Sequence, residues 1–340
     1  MTNATFIIHH GEDPDGVIAA SIISEYCARQ QQGMVHCFPL RYDTLEQRFP
    51  ALVEAGAEEK PRRIIVADIN AQRQIVEGGL LVPLTHLSSL VDGTLWLDHH
   101  PATAQHQDQL EKIGIEVIFD SQKCAALLAA QYTGLNRENY FKHLAQIAQA
   151  HDYAIPGQRN KQLAAGNQLE EIIALANATG DEDLLRHLVQ DLQQQRYFAG
   201  KDLAPQWAGY LSESQRQRAE AFSQLEKTLV REAVGKYSIL FALAPPILSQ
   251  KPAPRYLQEK YGAEIDLVFC LFAAPFRNHM IFGRKDVSFD VVGFCQQMGG
   301  GGRNNAGGFT RDSPITGAEY SAVREVMKEK MAEYLHSSSA

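Results

Sequence analysis

Asp98-His99-His100 sets one carboxylate beside two imidazoles at the end of a short apolar run, Leu95-Trp96-Leu97. Carboxylates and imidazoles are the groups that hold divalent cations and carry protons near neutral pH. The arrangement has two upstream counterparts. Phe6-Ile7-Ile8 runs into His9-His10-Gly11-Glu12-Asp13-Pro14-Asp15-Gly16, and Ile64-Ile65-Val66 leads to Asp68. Asp152 is a fourth candidate, after a helical segment Tyr140–Ala150. Each alone has an ordinary explanation: Asp13 as a helix cap, Asp68 as a loop acid, His99 as a surface histidine, Asp152 as an acid in the loop after a helix. Together they are hard to dismiss, because three strand ends deliver the same chemistry. Hard oxygen donors mixed with imidazole suit Mn²⁺ or Mg²⁺ better than a structural zinc, which favours thiolates. Two such ions about 3.5–4 Å apart can clamp the attacking and leaving oxygens of a displacement at phosphorus. The residue set therefore points to phosphoester or phosphoanhydride hydrolysis.

Side chains so far apart in sequence need a scaffold that gathers them. Strand-like runs at Thr5–Ile8, Val35–Leu40, Arg63–Val66, Leu95–Leu97 and Glu116–Phe119 alternate with helix candidates at Gly16–Gln30, Leu45–Glu54, Pro83–Leu90, Pro101–Ile113 and Ser121–Tyr132. Such alternation predicts βαβ units and a mostly parallel sheet covered on both faces. In open sheets of this kind, ligand sites gather beyond the carboxyl ends of the strands. Residues 135–197 read as helical. Ser212–Glu232 reads as one amphipathic helix, with Ser212 and Gln215 at capping-box spacing. A second unit follows: strands at Lys236–Leu243, Ile265–Phe272 and His279–Phe282, a helix near Arg255–Tyr261, a helix Ser288–Met298 capped by Ser288, and a terminal helix Glu319–Leu335 ahead of a frayed tail from His336. The expected class is α/β, with a parallel-sheet domain over 1–205, a linker helix within 206–235, and a smaller mixed α/β domain over 236–340.

Gly299-Gly300-Gly301-Gly302-Arg303 is the second chemical signal. Consecutive glycines cost chain entropy on ordering, and their open N–H groups can form an anion-binding nest. The run predicts a flexible, phosphate-facing loop. Arg303 beside it and Arg284 upstream are candidate phosphate contacts.

With 340 residues, 45% of them hydrophobic, the chain can bury a sizeable core. Its formal net charge of −8 argues against a protein that coats duplex DNA. A small anion held by local cations and metals remains compatible. The five cysteines are scattered without a CxxC pair, as expected of buried, reduced thiols. No signal peptide or membrane span is expected, and a cytoplasmic location fits.

These motifs resemble the DHH phosphoesterase superfamily, named for Asp-His-His. His9, Asp13 and Asp15 match its first motif, Asp68 its second, Asp98-His99-His100 its third and Asp152 its fourth. The glycine run resembles the motif of the DHH-associated C-terminal domain found in RecJ-type exonucleases and short-oligonucleotide hydrolases. The resemblance spans nearly the whole chain. It implies one Mn²⁺ held by His9, Asp13, Asp68 and Asp152, and a second held by Asp15, Asp68, His99 and Asp152, with Mg²⁺ or Co²⁺ as alternatives. His100 would contact the scissile phosphate or assist the leaving group, and Asp98 would orient the histidines. Gly299–Gly302, Arg303 and Arg284 would meet the substrate. Arg303 departs from the histidine usual after the four glycines.

The implied activity is hydrolysis of short oligonucleotides or linear dinucleotides to 5′-mononucleotides by in-line attack of a bridging hydroxide. Alternatives are a 3′-phosphoadenosine 5′-phosphate phosphatase, a cyclic dinucleotide phosphodiesterase, a single-strand exonuclease and a silent nucleotide-binding regulator. The glycine run argues against a pyrophosphatase, because the family's pyrophosphatases carry another C-terminal domain. The expected partner is the short nucleic acid or dinucleotide substrate, with a homodimer as an option.

Overall fold

The computed structural model describes residues 4–45, 47–52, 61–71, 85, 91–154, 158–200, 202–248, 252–303 and 305–337. The chain divides into two units, Met1–Ser212 and Glu213–Ala340.

The first unit is built on strands β1 (Ala4–His10), β2 (Met34–Leu40), β3 (Arg63–Ala67), β4 (Gly93–Asp98) and β5 (Ile115–Phe119). They form one sheet in the order β2-β1-β3-β4-β5. Every pairing is parallel, with Ile7 opposite Cys37 and Ile65, and Ile65 opposite Leu95. β-branched and aromatic side chains fit both faces of such a sheet. Ile7, Ile65, Leu95 and Leu97 face a core shared with helices α1 (Pro14–Arg29), α3 (Ala125–Thr133), α4 (Asn139–Asp152), α5 (Lys161–Thr179) and α6 (Glu182–Gln193). Phe6, Ile8, Ile64, Val66 and Trp96 face the other side, against Leu45, Phe49 and Leu110 of α2 (Pro101–Lys112). The period of two along each strand thus fills both layers.

The strand order places the topological switch point between β1 and β3, where neighbouring crossovers leave in opposite directions and open a crevice. The ends of those strands carry His9, His10 and Asp68. Gly16 makes the turn from β1 into α1 tight enough to matter, since a Cβ there would lie 2.2 Å from the His10 carbonyl oxygen.

In the second unit, β8 (Val230–Val234), β9 (Tyr237–Ala244), β10 (Leu267–Phe272), β11 (Asn278–Gly283), β12 (Gly301–Arg303) and β13 (Ala306–Thr310) form a six-stranded mixed sheet. Helices α8 (Pro252–Tyr261), α9 (Val291–Gln297) and α10 (Tyr320–Ser337) accompany it. β10 and β11 form an antiparallel hairpin. A short antiparallel pair, β6 (Phe198–Ala199) and β7 (Asp202–Leu203), precedes α7 (Pro205–Lys227), and the unit boundary falls inside that helix.

Several local expectations change. Ser212 lies inside α7 rather than at its start, and its hydroxyl donates to the Ala208 carbonyl. α9 is capped by Asp290, whose carboxylate accepts from Gly293 N–H, and not by Ser288. α3 begins at Ala125 and not at Ser121. His336 is still helical. The helix expected at 83–90 lies outside the described residues apart from residue 85.

The glycine run is not a flexible loop. Gly299 (φ 77°) and Gly300 donate to Gln296 and Cys295 carbonyls at the end of α9. Gly301 and Gly302 pair with Gly308 and Gly307 in an antiparallel ladder. A Cβ on Gly300 would lie 1.9 Å from the Gly308 carbonyl oxygen, and one on Gly302 2.2 Å from that of Ala306. Close backbone approach, rather than freedom, explains these two glycines.

Candidate metal centre

Asp68 stands at the middle of the site. It follows β3 with φ 59°, a left-handed conformation that aspartate tolerates at some cost and that recurs at functional positions. Its N–H is tied to the Leu97 carbonyl at 2.9 Å, which fixes the turn beside β4. Its two carboxylate oxygens face different imidazoles. Oδ1 lies 3.5 Å from His99 Nε2, and Oδ2 lies 3.4 Å from His10 Nδ1.

Two donor groups meet at this residue. His10, Asp13 and Asp68 offer ligand atoms within 4.8 Å of one another, and so do Asp68, Asp98, His99 and His100. Asp15 Oδ2 lies 3.8 Å from His99 Nε2, and Asp152 Oδ2 lies 3.6 Å from it. Asp152 is the last residue of α4 rather than part of a following loop. The fold therefore brings Asp13, Asp15, Asp68, Asp98, His99, His100 and Asp152 to one place.

Local structure explains how each acid is held. Asp13 is the N-cap of α1, with Oδ1 accepting from the N–H groups of Asp15 and Gly16; its Oδ2 lies 3.4 Å from His10 Nδ1. Capping and site membership thus coexist in one carboxylate. Asp15 is buried and accepts from Ala125 N–H and Ala126 N–H, each at 2.7 Å. It serves as the cap of α3, which has no side-chain cap of its own. That remote cap is why α3 starts later than its sequence suggests. Asp98 is fully buried and accepts from the Thr103 hydroxyl and from His100 Nδ1 at 2.8 Å. Thr103 also accepts from Ala71 N–H at 2.8 Å.

The histidine rings are oriented individually. His9 is buried, with Nδ1 2.9 Å from the His10 carbonyl oxygen. A carbonyl only accepts, so the proton is on Nδ1 and Nε2 keeps its lone pair. His100 Nδ1 donates to Asp98 in the same way. His99 Nδ1 lies 3.0 Å from the Tyr153 hydroxyl.

Charge crowding shows in the titration of the site. Burial and the neighbouring Asp68 and Asp152 push Asp15 well above the carboxylate range. Burial and Asp13 push Asp68 the same way, but His10 and His99 outweigh them and hold it below its ordinary value. Burial opposes protonation of His99, yet Asp68, Asp15 and Asp152 raise it to about 9. His10 is likewise raised against burial by Asp13, Asp68 and Glu12. Burial lowers His9 to about 4. The carboxylates thus favour positive charge on His10 and His99.

Such a donor set fits divalent ions. His9 Nε2, His10 Nδ1, Asp68 Oδ2 and His99 Nε2 are all buried and make no hydrogen bond. Orphaned buried polar atoms are costly, and a cation would meet the lone pairs of His9 Nε2 and Asp68 Oδ2 directly and those of the two ring nitrogens once their protons leave.

His10 was absent from the sequence-derived set. Its signal was adjacency: His9 and His10 end the same strand, and alternation sends them to opposite faces. His10 packs against Tyr42 with ring centroids 4.9 Å apart and the rings tilted by 49°, and its Nε2 lies 3.3 Å from Glu12. Thr103 and Tyr153 were also missed, because neither residue type marks a metal site by itself. In the second unit, Arg284 follows β11 and is paired with Asp266 at 3.1 Å and Asp286 at 2.6 Å. The N–H groups of Gly299 and Gly300 are engaged by α9.

No family model matches the sequence, and no curated protein is significantly similar to it. Among solved structures, the chain is similar to the crystal structure of exonuclease RecJ bound to manganese. The match covers 97% of this chain and 89% of that chain, with TM-score 0.53 and 16% sequence identity. The chain has a RecJ-like fold. That fold agrees with the DHH resemblance of its motifs. Among the described residues no helix is long and apolar enough to cross a membrane.

Proposed function

We propose that this chain is a Mn²⁺-dependent phosphodiesterase that hydrolyses short oligonucleotides or linear dinucleotides to 5′-mononucleotides. The observation that carries the reading is the buried Asp68 at the meeting point of two donor groups, with His10 and Asp13 on one side and Asp98, His99 and His100 on the other. A carboxylate so placed is suited to bridge two cations.

His9, Asp13, Asp68 and Asp152 would hold one ion, and Asp15, Asp68, His99 and Asp152 the other. His9 supports its assignment through a lone pair on Nε2 fixed by the Nδ1–H bond to the backbone. His10, raised and facing Asp13 and Asp68, balances charge beside it. Bound ions would polarise the phosphate and activate water. The remaining work falls to the chain. His100, with Nδ1 anchored on Asp98, turns Nε2 outward as a donor to a phosphate oxygen or the departing oxygen. Burial disfavours its charged form, but Asp98 and Asp68 outweigh it and raise the ring above its ordinary value, which favours the donor form. Asp98 itself is held by Thr103 and keeps that ring in register.

The small-substrate preference rests on the net charge of −8, which disfavours long polyanions. A single-strand exonuclease is the second reading, favoured by the fold shared with RecJ. The test is product analysis by mass after incubation with Mn²⁺ and a panel: 5′-labelled linear dinucleotides, cyclic dinucleotides, 3′-phosphoadenosine 5′-phosphate, pyrophosphate and long single-stranded DNA. Mononucleotides released from linear dinucleotides, and lost in Asp68→Ala, support the proposal. Untouched dinucleotides sink it, and degradation of long DNA alone favours the second reading.

A further inference from the structure

We infer that Tyr153 is a positioning residue for His99: its hydroxyl fixes which imidazole nitrogen meets the metal. The inference rests on the metal-centre reading above and adds to it a residue that none of the motifs contains.

Proton accounting at one oxygen carries the inference. The Tyr153 hydroxyl lies 2.9 Å from the Ser121 carbonyl oxygen and 3.0 Å from His99 Nδ1. A hydroxyl has one proton, and a carbonyl can only accept. The tyrosine proton therefore points at Ser121. The contact with His99 must then run the other way, with Nδ1–H donating to the tyrosine oxygen. Nδ1 is thereby kept protonated, and the nitrogen left for coordination is Nε2. That atom is the one facing the acids, at 3.5 Å from Asp68, 3.6 Å from Asp152 and 3.8 Å from Asp15. It is also buried without a hydrogen bond.

The chain Ser121 carbonyl, Tyr153 hydroxyl, His99 ring thus leaves Nε2 as the nitrogen that faces the carboxylates and would meet a metal. Metal-bound histidines commonly donate their other ring N–H to an anchored acceptor, which sets tautomer and ring orientation. His9 uses the His10 carbonyl, and Tyr153 plays that part for His99; the substrate-facing His100 is anchored in the same way by Asp98. The tyrosine and histidine rings also touch, with centroids 5.8 Å apart at 48°. The phenol sits at the C-cap position of α4, one residue after Asp152, so the same helix end delivers a candidate ligand and the anchor for another.

The test is a double-mutant cycle read by Mn²⁺ binding, using calorimetry on the full chain: wild type, Tyr153→Phe, His99→Ala and the double variant. Phenylalanine keeps the ring and removes the hydroxyl. Tyr153→Phe should weaken the affected Mn²⁺ site by about 10–100-fold, the usual effect of losing such a partner. In the His99→Ala background it should change nothing, because its route of action is gone. A second readout is the histidine-ring ¹⁵N NMR spectrum of Zn²⁺-loaded protein. The wild type should show His99 metallated at Nε2, with a slowly exchanging Nδ1–H that Tyr153→Phe loses. Unchanged affinity in Tyr153→Phe, equal losses in both backgrounds, or metallation at Nδ1 would each overturn the inference while leaving the metal centre standing. Wild-type protein that binds no Mn²⁺ would overturn both.

Discussion

Replacing Gly16 by alanine tests whether the turn from β1 into α1 builds the site. The added Cβ would lie 2.2 Å from the His10 carbonyl oxygen, 2.9 Å from the carbonyl carbon and 2.8 Å from His10 Cβ. These atoms belong to the backbone or sit next to it, so no side-chain rotation relieves the clash. Ordinary C···O contacts begin at about 3.3 Å, so strand end and helix start must separate by about 1 Å. Overpacking of this sort costs about 1–3 kcal/mol. For a domain of this size each kcal/mol lowers Tm by about 2–4 °C, giving a drop of about 2–12 °C. The functional loss should be larger. His10, Asp13 and Asp15 all hang on this turn, and a 1 Å misplacement can cost on the order of 100-fold in rate. Calorimetric melting, Mn²⁺ titration and dinucleotide turnover would be measured side by side. Gly93→Ala is the control, because nothing lies within 4 Å of a Cβ there. Gly16→Ala with wild-type melting and wild-type Mn²⁺ affinity would refute the reasoning, and so would equal damage from Gly93→Ala.

Thr103→Val should destabilise the first unit by about 1–3 kcal/mol, because it strips a partner from both Asp98 and Ala71 N–H in a buried setting; denaturant unfolding checks it, and an unshifted midpoint counts against the network. Acid sensitivity of the second unit should trace to His279. Burial, with Arg311 nearby, lowers its pKa from 6.5 to about 3. A depressed folded value means stability is fully present above about 6.5 and is lost as pH falls toward about 3. His279→Asn keeps an acceptor near Phe272 N–H, which Nδ1 now receives at 3.1 Å. Its melting curve should therefore fall less steeply with acid than that of the wild type; parallel curves would refute the assignment. Mn²⁺ at 100 times its dissociation constant should add about 2.7 kcal/mol to the unfolding free energy of wild-type protein and far less to Asp68→Ala, as read by melting with and without chelator.

The parallel sheet was legible because its strands are short apolar runs with polar punctuation, the pattern of strands buried on both faces, alternating with helix-length segments. The positions of Asp68 and Asp98 were legible for the same reason, since each closes such a run. What escaped was information carried across the chain. Asp15 caps a helix that starts at Ala125, and nothing near residue 125 announces it. The glycine run reads locally as mobility, whereas Gly300 and Gly302 are small because strand β13 passes within contact of them. The caps of α9 differ by two residues, and both Ser288 and Asp290 are sound cap types; only the backbone geometry selects Asp290. Tyr153 is invisible until folding brings α4 beside His99.

The site and the core of the first unit depend on the same contacts. Asp15, Asp68 and Asp98 are almost completely buried, and burying several carboxylates together is unfavourable without compensation. Part of the compensation is permanent: the α3 N-terminus for Asp15, Thr103 and His100 for Asp98, the α1 N-terminus for Asp13. The rest depends on cations, either protons on His10 and His99 or metal ions in their stead. If His99 takes a metal, as proposed, its proton must leave, because Nε2 cannot hold both. Acid would then compete with metal at this ring, and affinity should rise with pH until His99 titrates at about 9. The hydrogen bonds from the α3 and α1 N-termini and from Thr103 do not depend on that exchange, so they would hold the acids in place in either state.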